Sequence, residues 1–269
     1  MTPQMDYRGK HVVVTGCASG IGRATAALLL ERGADVHGLD LRPCDLALGR
    51  FTPLDLADPA SITAGIAAVG GDVHALFNCA GVPPTLPPSD VFRINFAGTR
   101  MLADGIASRM SAGAAIVNVS SNGGADWAAH LSDLQELVAA PSFADAMAWF
   151  EARPEAAKRA YSMSKEAVIV WTLASSARLI TQGIRVNCTT PGAVQTPMLD
   201  EIERTTPAAL IDRVAQPFGR RSSPEEQAWP LLFLNSDVAA YLNGVILPVD
   251  GGFIAAQSLA ADRQPVGRK

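Results

Sequence analysis

Long apolar runs are missing from this 269-residue chain; stretches such as 12–14 and 28–30 fall far short of the roughly 20 residues of a membrane helix. Residues 1–9 lack the charged-then-apolar order of a secretion signal, so the expected location is the cytoplasm, with no membrane partner. Cysteine is scarce and dispersed. Cys17, Cys44, Cys79 and Cys188 form no Cys-x-x-Cys pair, and none of the four histidines stands at ligand spacing from another donor. The expectation is therefore ordinary thiols and no metal site. Basic charge is not concentrated either: 22 Lys and Arg residues are scattered against 26 Asp and Glu, for a net charge of −4 and a pI near 5.6. That excludes nucleic acid and an anionic membrane surface as partners. Tyrosine and lysine are rare, with three and four copies.

What is present suits a buried core. The chain is 48% hydrophobic and 18% charged, most simply one α/β domain over 1–269. Short apolar runs, glycine-bearing turns and longer amphipathic stretches alternate, the pattern of a parallel sheet wrapped by helices. Strands are expected at 11–15, 35–40, 75–78, 115–120, 184–189 and 245–249, each rich in Val, Ile or Leu. Helices are expected at 21–32, closed by Gly33, and at 161–182, closed by Gly183. The stretch 122–160 is too long for a tight connection. Its apolar spacing predicts two short amphipathic helices broken at Pro141 and Pro154, either packed on themselves or forming a wall or lid for substrate. The tail 260–269 is expected to be mobile.

Two local patterns point to chemistry. Gly16, Gly20 and Gly22 follow the first strand and open the first helix, where a chain must turn tightly and its backbone N–H groups can cradle a pyrophosphate. The second strand ends at Asp40, where a carboxylate can bind both ribose hydroxyls of NAD and repel the 2′-phosphate of NADP. Tyr161 and Lys165, four residues apart, share a helical face. An ammonium fixed there is expected to lower the pKa of the phenol, making it an acid and base for an alcohol oxygen.

In their order these motifs resemble the short-chain dehydrogenase/reductase family over 9–253, with 122–160 out of pattern. The family's glycine motif corresponds to Gly16, Ser19, Gly20, Ile21 and Gly22, and its Asn-Ala-Gly motif to Asn78, Ala80 and Gly81, with Cys79 inserted. Its adenine-contacting aspartate corresponds to Asp55, next to Leu56, and its nicotinamide segment to Pro191, Gly192, Val194 and Thr196. The active-site asparagine, serine, tyrosine and lysine correspond to Asn95, Ser121, Tyr161 and Lys165.

The resemblance implies a Rossmann-like, doubly wound parallel sheet of about seven strands with helices on both faces. It also implies NAD as cofactor and hydride transfer between an alcohol and its carbonyl. Tyr161 would be the general acid and base, Ser121 an oxyanion donor, Lys165 a partner of both the phenol and the cofactor ribose, and Asn95 the holder of a water that leads protons out. Two rival readings are an NAD-binding sensor without turnover and an NADP-dependent carbonyl reductase; an intact Ser-Tyr-Lys set opposes the first and Asp40 the second.

Within the family, 122–160 and the opening glycine turn are similar to those of bacterial 3α-hydroxysteroid dehydrogenase/carbonyl reductases and coniferyl-alcohol dehydrogenase-like members. The expected substrate is a small hydrophobic alcohol or carbonyl, steroid-like or monolignol-like. Its pocket would draw on Trp127, Phe143, Trp149 and Phe150 from 122–160 and on Val194, Met198, Leu199 and Ile202 from 193–218, unless the first set packs a core. A homo-oligomer is expected, a dimer through Trp229 and 245–253 rather than a tetramer, because 122–160 would obstruct the second helical face.

Overall fold

The computed structural model describes residues 5–261. The chain runs through β1 (His11–Thr15), α1 (Gly20–Glu31), β2 (Asp35–Asp40), β3 (Arg50–Pro53), α2 (Pro59–Ala68) and β4 (Ala75–Asn78). It continues with α3 (Pro88–Phe92), a π-helical turn (Arg93–Gly98), α4 (Thr99–Ala107) and β5 (Ala115–Val119). Next come a 3-10 stretch (Asn122–His130), α5 (Leu131–Val138), α6 (Phe143–Glu151), α7 (Pro154–Lys158) and α8 (Ala160–Leu179). The last elements are β6 (Arg185–Pro191), α9 (Pro197–Glu203), α10 (Ala208–Val214), α11 (Pro224–Asn235), β7 (Ile246–Val249) and α12 (Phe253–Ala261).

All seven strands pair in parallel in the order β3-β2-β1-β4-β5-β6-β7. This is the expected doubly wound sheet. Parallel strands buried on both faces require near-continuous apolar sequence, which β1, β4 and β5 supply. Chain order reverses between β1 and β4, so a crevice opens beyond their C-terminal ends. Helices α1 and α11 close one core layer through Leu28, Leu29, Leu231 and Leu232; α2, α4 and α8 close the other through Ile62, Leu102 and Val168.

Three elements depart from expectation. The edge strand β3, Arg-Phe-Thr-Pro, is largely exposed and has no apolar run, so periodicity does not reveal it. The long helix ends at Leu179, and a 3-10 turn over Ile180–Gln182 leads into Gly183 at φ 76°. Within 122–160, Pro154 opens α7 instead of merely ending a helix, since proline fits a helix's first turn. The expected tail, 260–269, overlaps α12 at its first two residues and otherwise lies outside the described residues. No helix among the described residues is long and apolar enough to cross a membrane.

Candidate active site

A cleft of about 440 Å³ opens at the C-terminal ends of the strands. Its first part is the turn from β1 to α1. Gly16 has φ 71°, and a Cβ there would lie 2.9 Å from the Cα of Ala80, so only glycine lets the β1 and β4 loops approach this closely. At Gly22 a side chain would run into the carbonyl of Gly16, which fastens α1 against the turn. Ser19 begins α1 but its side chain makes no capping bond; its Oγ accepts from Arg42 Nη2 at 2.9 Å. The first turn of a 12-residue helix thus presents uncapped N–H groups and a positive end to the cleft.

Asp40 stands beside that turn. Its Oδ2 accepts from the backbone of Ala18 and its Oδ1 from that of Arg42, both at 2.9 Å, leaving lone pairs on each oxygen. Asp55 and Leu56 extend the same wall from the end of β3, where Asp55 Oδ1 accepts from Ala57 N at 2.8 Å. A narrow glycine turn, an uncapped helix start and a restrained carboxylate fit a dinucleotide, pyrophosphate on the turn and ribose against Asp40.

The opposite wall carries Ser121, Tyr161 and Lys165. The first turns of α8 and the 3-10 stretch meet so closely that a Cβ on Gly123 would lie 3.5 Å from both Ser121 Oγ and Tyr161 Cε1. Ser121 Oγ accepts from Gly123 N at 3.1 Å and reaches the phenol. Lys165 is buried, donates from Nζ to the carbonyl of Val119 at 3.2 Å, and lies 5.8 Å from the Tyr161 ring centre. Burial lowers its pKa to about 8, because a desolvated ammonium is costly. The expected drop at Tyr161 is reversed in this structure: burial pushes the phenol above its ordinary value, and the Ser121 hydrogen bond pulls it back only in part. Cys79 also lines the cleft, but burial pushes its thiol up to about 12, so it stays protonated and unreactive.

Residues 10–132 match the family model described as short chain dehydrogenase, and residues 146–254 match one described as enoyl-(acyl carrier protein) reductase. The chain is 35% identical to coniferyl-alcohol dehydrogenase of Pseudomonas sp. (strain HR199 / DSM 7063) over 92% of its length and 98% of the relative's. It is 31% identical to 3-alpha-hydroxysteroid dehydrogenase/carbonyl reductase of Comamonas testosteroni, covering 91% and 96%. The crystal structure of the 3-alpha-hydroxysteroid dehydrogenase from Pseudomonas sp. B-0831 complexed with NADH superposes with a TM-score of 0.80 at 32% identity, covering 93% of this chain and 99% of that one. This chain belongs to the short-chain dehydrogenase/reductase family. It is an oxidoreductase of that family acting on alcohols, like the coniferyl-alcohol and hydroxysteroid dehydrogenases. A further solved neighbour, from Beutenbergia cavernae, holds NADP at low occupancy; it is 27% identical with a TM-score of 0.72 and covers 94% and 100%.

Most residues singled out in the sequence meet in this dehydrogenase's cleft: Gly16, Ser19, Gly20, Ile21, Asp40, Asp55, Leu56, Ala80, Gly81, Pro191, Gly192, Val194 and Thr196 line it with the Ser-Tyr-Lys set. Gly22, Asn78 and Asn95 stand behind the wall. Asn78 donates to Asn118 Oδ1 at 2.8 Å, and Asn118 to Thr172 Oγ1 at 2.9 Å, tying β4, β5 and α8 together. Asn95, in the π-helical turn, accepts from Val82 N at 2.8 Å and donates to Val82 O at 3.0 Å, which fixes the loop beside Gly81. A Cβ on Gly81 would lie 3.1 Å from Asn95 Oδ1 and 3.5 Å from Lys165 Nζ, so asparagine and lysine flank one point.

Of the two readings of 122–160, a packed segment or a substrate wall, the structure has the packed one. Nothing in 122–160 lines the cleft. Trp149 and Phe150 are buried and Trp127 and Phe143 half-buried, all packed into the core that holds α3 and α8; Phe150 stacks on Phe92 with ring centres 4.2 Å apart. Val194, Met198, Leu199 and Ile202 do line it, joined by Val82, Pro83, Ile94 and Glu201. Sequence reasoning missed these last four, since no motif marks them and only the fold joins the β4 loop to α9.

Proposed function

We propose that this chain oxidises a hydrophobic secondary or aromatic alcohol, steroid-like or monolignol-like, to its carbonyl with NAD, and catalyses the reverse reaction. The observation that carries the reading is the convergence of Ser121, Tyr161 and Lys165 on one wall of the cleft whose other wall is the glycine turn. A nicotinamide dinucleotide held between these walls would supply the hydride acceptor and donor. Tyr161 takes the hydroxyl proton as the carbinol loses hydride, and returns it in reduction. Ser121 Oγ donates to the substrate oxygen where negative charge develops. Lys165, charged below about pH 8, stabilises the phenolate and holds the ribose, while Asn95 keeps the Val82 loop in place and a proton-conducting water beside it.

Asp40 supports NAD. A carboxylate held by two backbone N–H groups cannot swing aside, and a ribose phosphate at this place would meet its charge. Arg42, beside it on the wall, donates from Nη2 to the neutral Ser19 hydroxyl and keeps its charge, so the measured NAD-to-NADP ratio reads the balance of the two. The free thiols suit the cytoplasm. A dimer formed through α11 and β7 is the assembly proposed: α8 is covered by 122–160, whereas β7 is a half-exposed edge with Phe233 and Tyr241 exposed nearby. Light scattering that finds a tetramer would reject it.

The test compares NAD with NADP on steroid, monolignol and simple secondary alcohols, following absorbance of the reduced cofactor. NAD is expected to be preferred at least tenfold or so in kcat/KM, and Asp40→Ala to erase that preference. A wild-type enzyme that prefers NADP refutes the cofactor reading; no turnover of any alcohol refutes the substrate reading.

A further inference from the structure

The charged residues of the cleft wall are Asp40, Arg42, Asp55, Lys165 and Glu201. Asp40, Arg42 and Asp55 follow β2 and β3, where the adenosine end of a dinucleotide belongs, and Lys165 stands with Tyr161. Glu201 is different. It projects from α9 among Val82, Pro83, Ile94, Met198, Leu199 and Ile202, an otherwise apolar wall. Its Oε1 accepts a 2.7 Å hydrogen bond from the Thr85 hydroxyl, which joins the loop after β4 to α9 across the mouth. Two residues on, Glu203 is paired with Arg221; among the described residues no cation pairs with Glu201.

A carboxylate offers about four acceptor positions, and Thr85 fills one. In an apolar wall the rest must be met by water or by a donor on whatever enters. A ligand hydroxyl replaces that water with a charge-assisted bond; an isosteric methyl expels the water and offers nothing; a carboxylate meets like charge in a half-buried site. Thr85 already displays the preferred partner, a neutral hydroxyl.

We infer that Glu201 selects alcohols with two oxygenated ends: one hydroxyl that reacts at Tyr161, and a second, unreacting hydroxyl or phenol at the far end that donates to Glu201. Carboxylates at that end are rejected. This deepens the alcohol reading above and rests on it.

The experiment measures kcat/KM with NAD on two scaffolds, a cinnamyl alcohol and a cyclohexanol, each bearing hydroxyl, methyl or carboxylate at the ring carbon farthest from the reacting group. Wild-type enzyme is expected to favour hydroxyl over methyl by about tenfold or more, and methyl over carboxylate by a similar factor. Glu201→Leu should bring the hydroxyl-to-methyl ratio close to that of the uncatalysed electronic effect, and Glu201→Gln should raise the carboxylate-to-methyl ratio about tenfold. These ratios compare substrates on one protein, so loss of folded enzyme cancels from them. Unchanged ratios in both variants overturn the inference while leaving alcohol oxidation intact. Absence of turnover on both scaffolds instead overturns the alcohol reading itself, and this one with it.

Discussion

Two segments, 122–160 and 193–218, are rich in apolar residues that could form a substrate wall. They differ in what those residues touch. The 122–160 segment has the larger side chains, yet Trp149 and Phe150 are buried in the core against α3 and α8, and none of its residues reaches the cleft. The 193–218 segment has smaller ones, and Val194, Met198, Leu199 and Ile202 all face the cleft. The difference lies in anchorage. In the first, α5 and α6 lie on other helices, so Trp149 and Phe150 are enclosed by protein; in the second, α9 follows the C-terminal end of β6 after a short loop, at the mouth where the strand ends open. Aromatic content alone therefore misleads about a substrate wall, and position relative to the strand ends decides.

The sharpest way to break this contrast is Phe150→Ala. Removing a ring stacked at 4.2 Å on Phe92 should destabilise the fold by about 3–5 kcal/mol while leaving kcat/KM per folded molecule within about twofold. Denaturant unfolding beside assays of the folded fraction would check it, and a change in substrate preference would restore 122–160 to the cleft. Next in size is Glu166→Gln. Glu166 is buried beside Lys165, accepts from Arg159 Nη2 and faces His130 Nδ1 at 3.3 Å, so it fastens 122–160 to α8. Because Arg159 is one-third exposed, the loss should be about 1–3 kcal/mol, seen as a lower melting temperature.

On the cleft side, pH should act on rate. Burial raises the phenol, so oxidation needs a base scarce at neutral pH and should climb about tenfold per unit of pH until Lys165 loses its charge near 8. Reduction needs the neutral phenol and the charged lysine, so it should be flat below that point and fall above it. Rate profiles in both directions check this; oxidation that is flat from pH 6 to 8 would contradict it. The smallest effect expected is for Met198→Ala: KM for a bulky alcohol should rise by about three- to thirtyfold with little change in melting temperature, since the residue lines the cleft and stands outside both core clusters.

The sheet was legible because buried parallel strands are largely apolar: the expected strands 11–15, 35–40 and 75–78 have the observed bounds of β1, β2 and β4. β3 was not, because an exposed edge strand needs no such run. At the site, groups bound by local geometry could be read: glycines at a tight turn, a carboxylate closing β2, a phenol and an ammonium one helical turn apart. The pairing of Thr85 with Glu201, 116 positions away, leaves no local trace. Nor does burial at Tyr161: spacing reveals the ammonium, whereas the desolvation that outweighs it belongs to the folded surroundings.

In the proposed reaction, Tyr161 moves the proton that accompanies hydride transfer. The most direct test is the rate of NAD-dependent alcohol oxidation by Tyr161→Phe against wild type, with NADH affinity measured by fluorescence titration on both. In Tyr161→Phe, kcat should fall about 10²–10⁴-fold with NADH binding retained. A variant that keeps its rate within about threefold of wild type would contradict it.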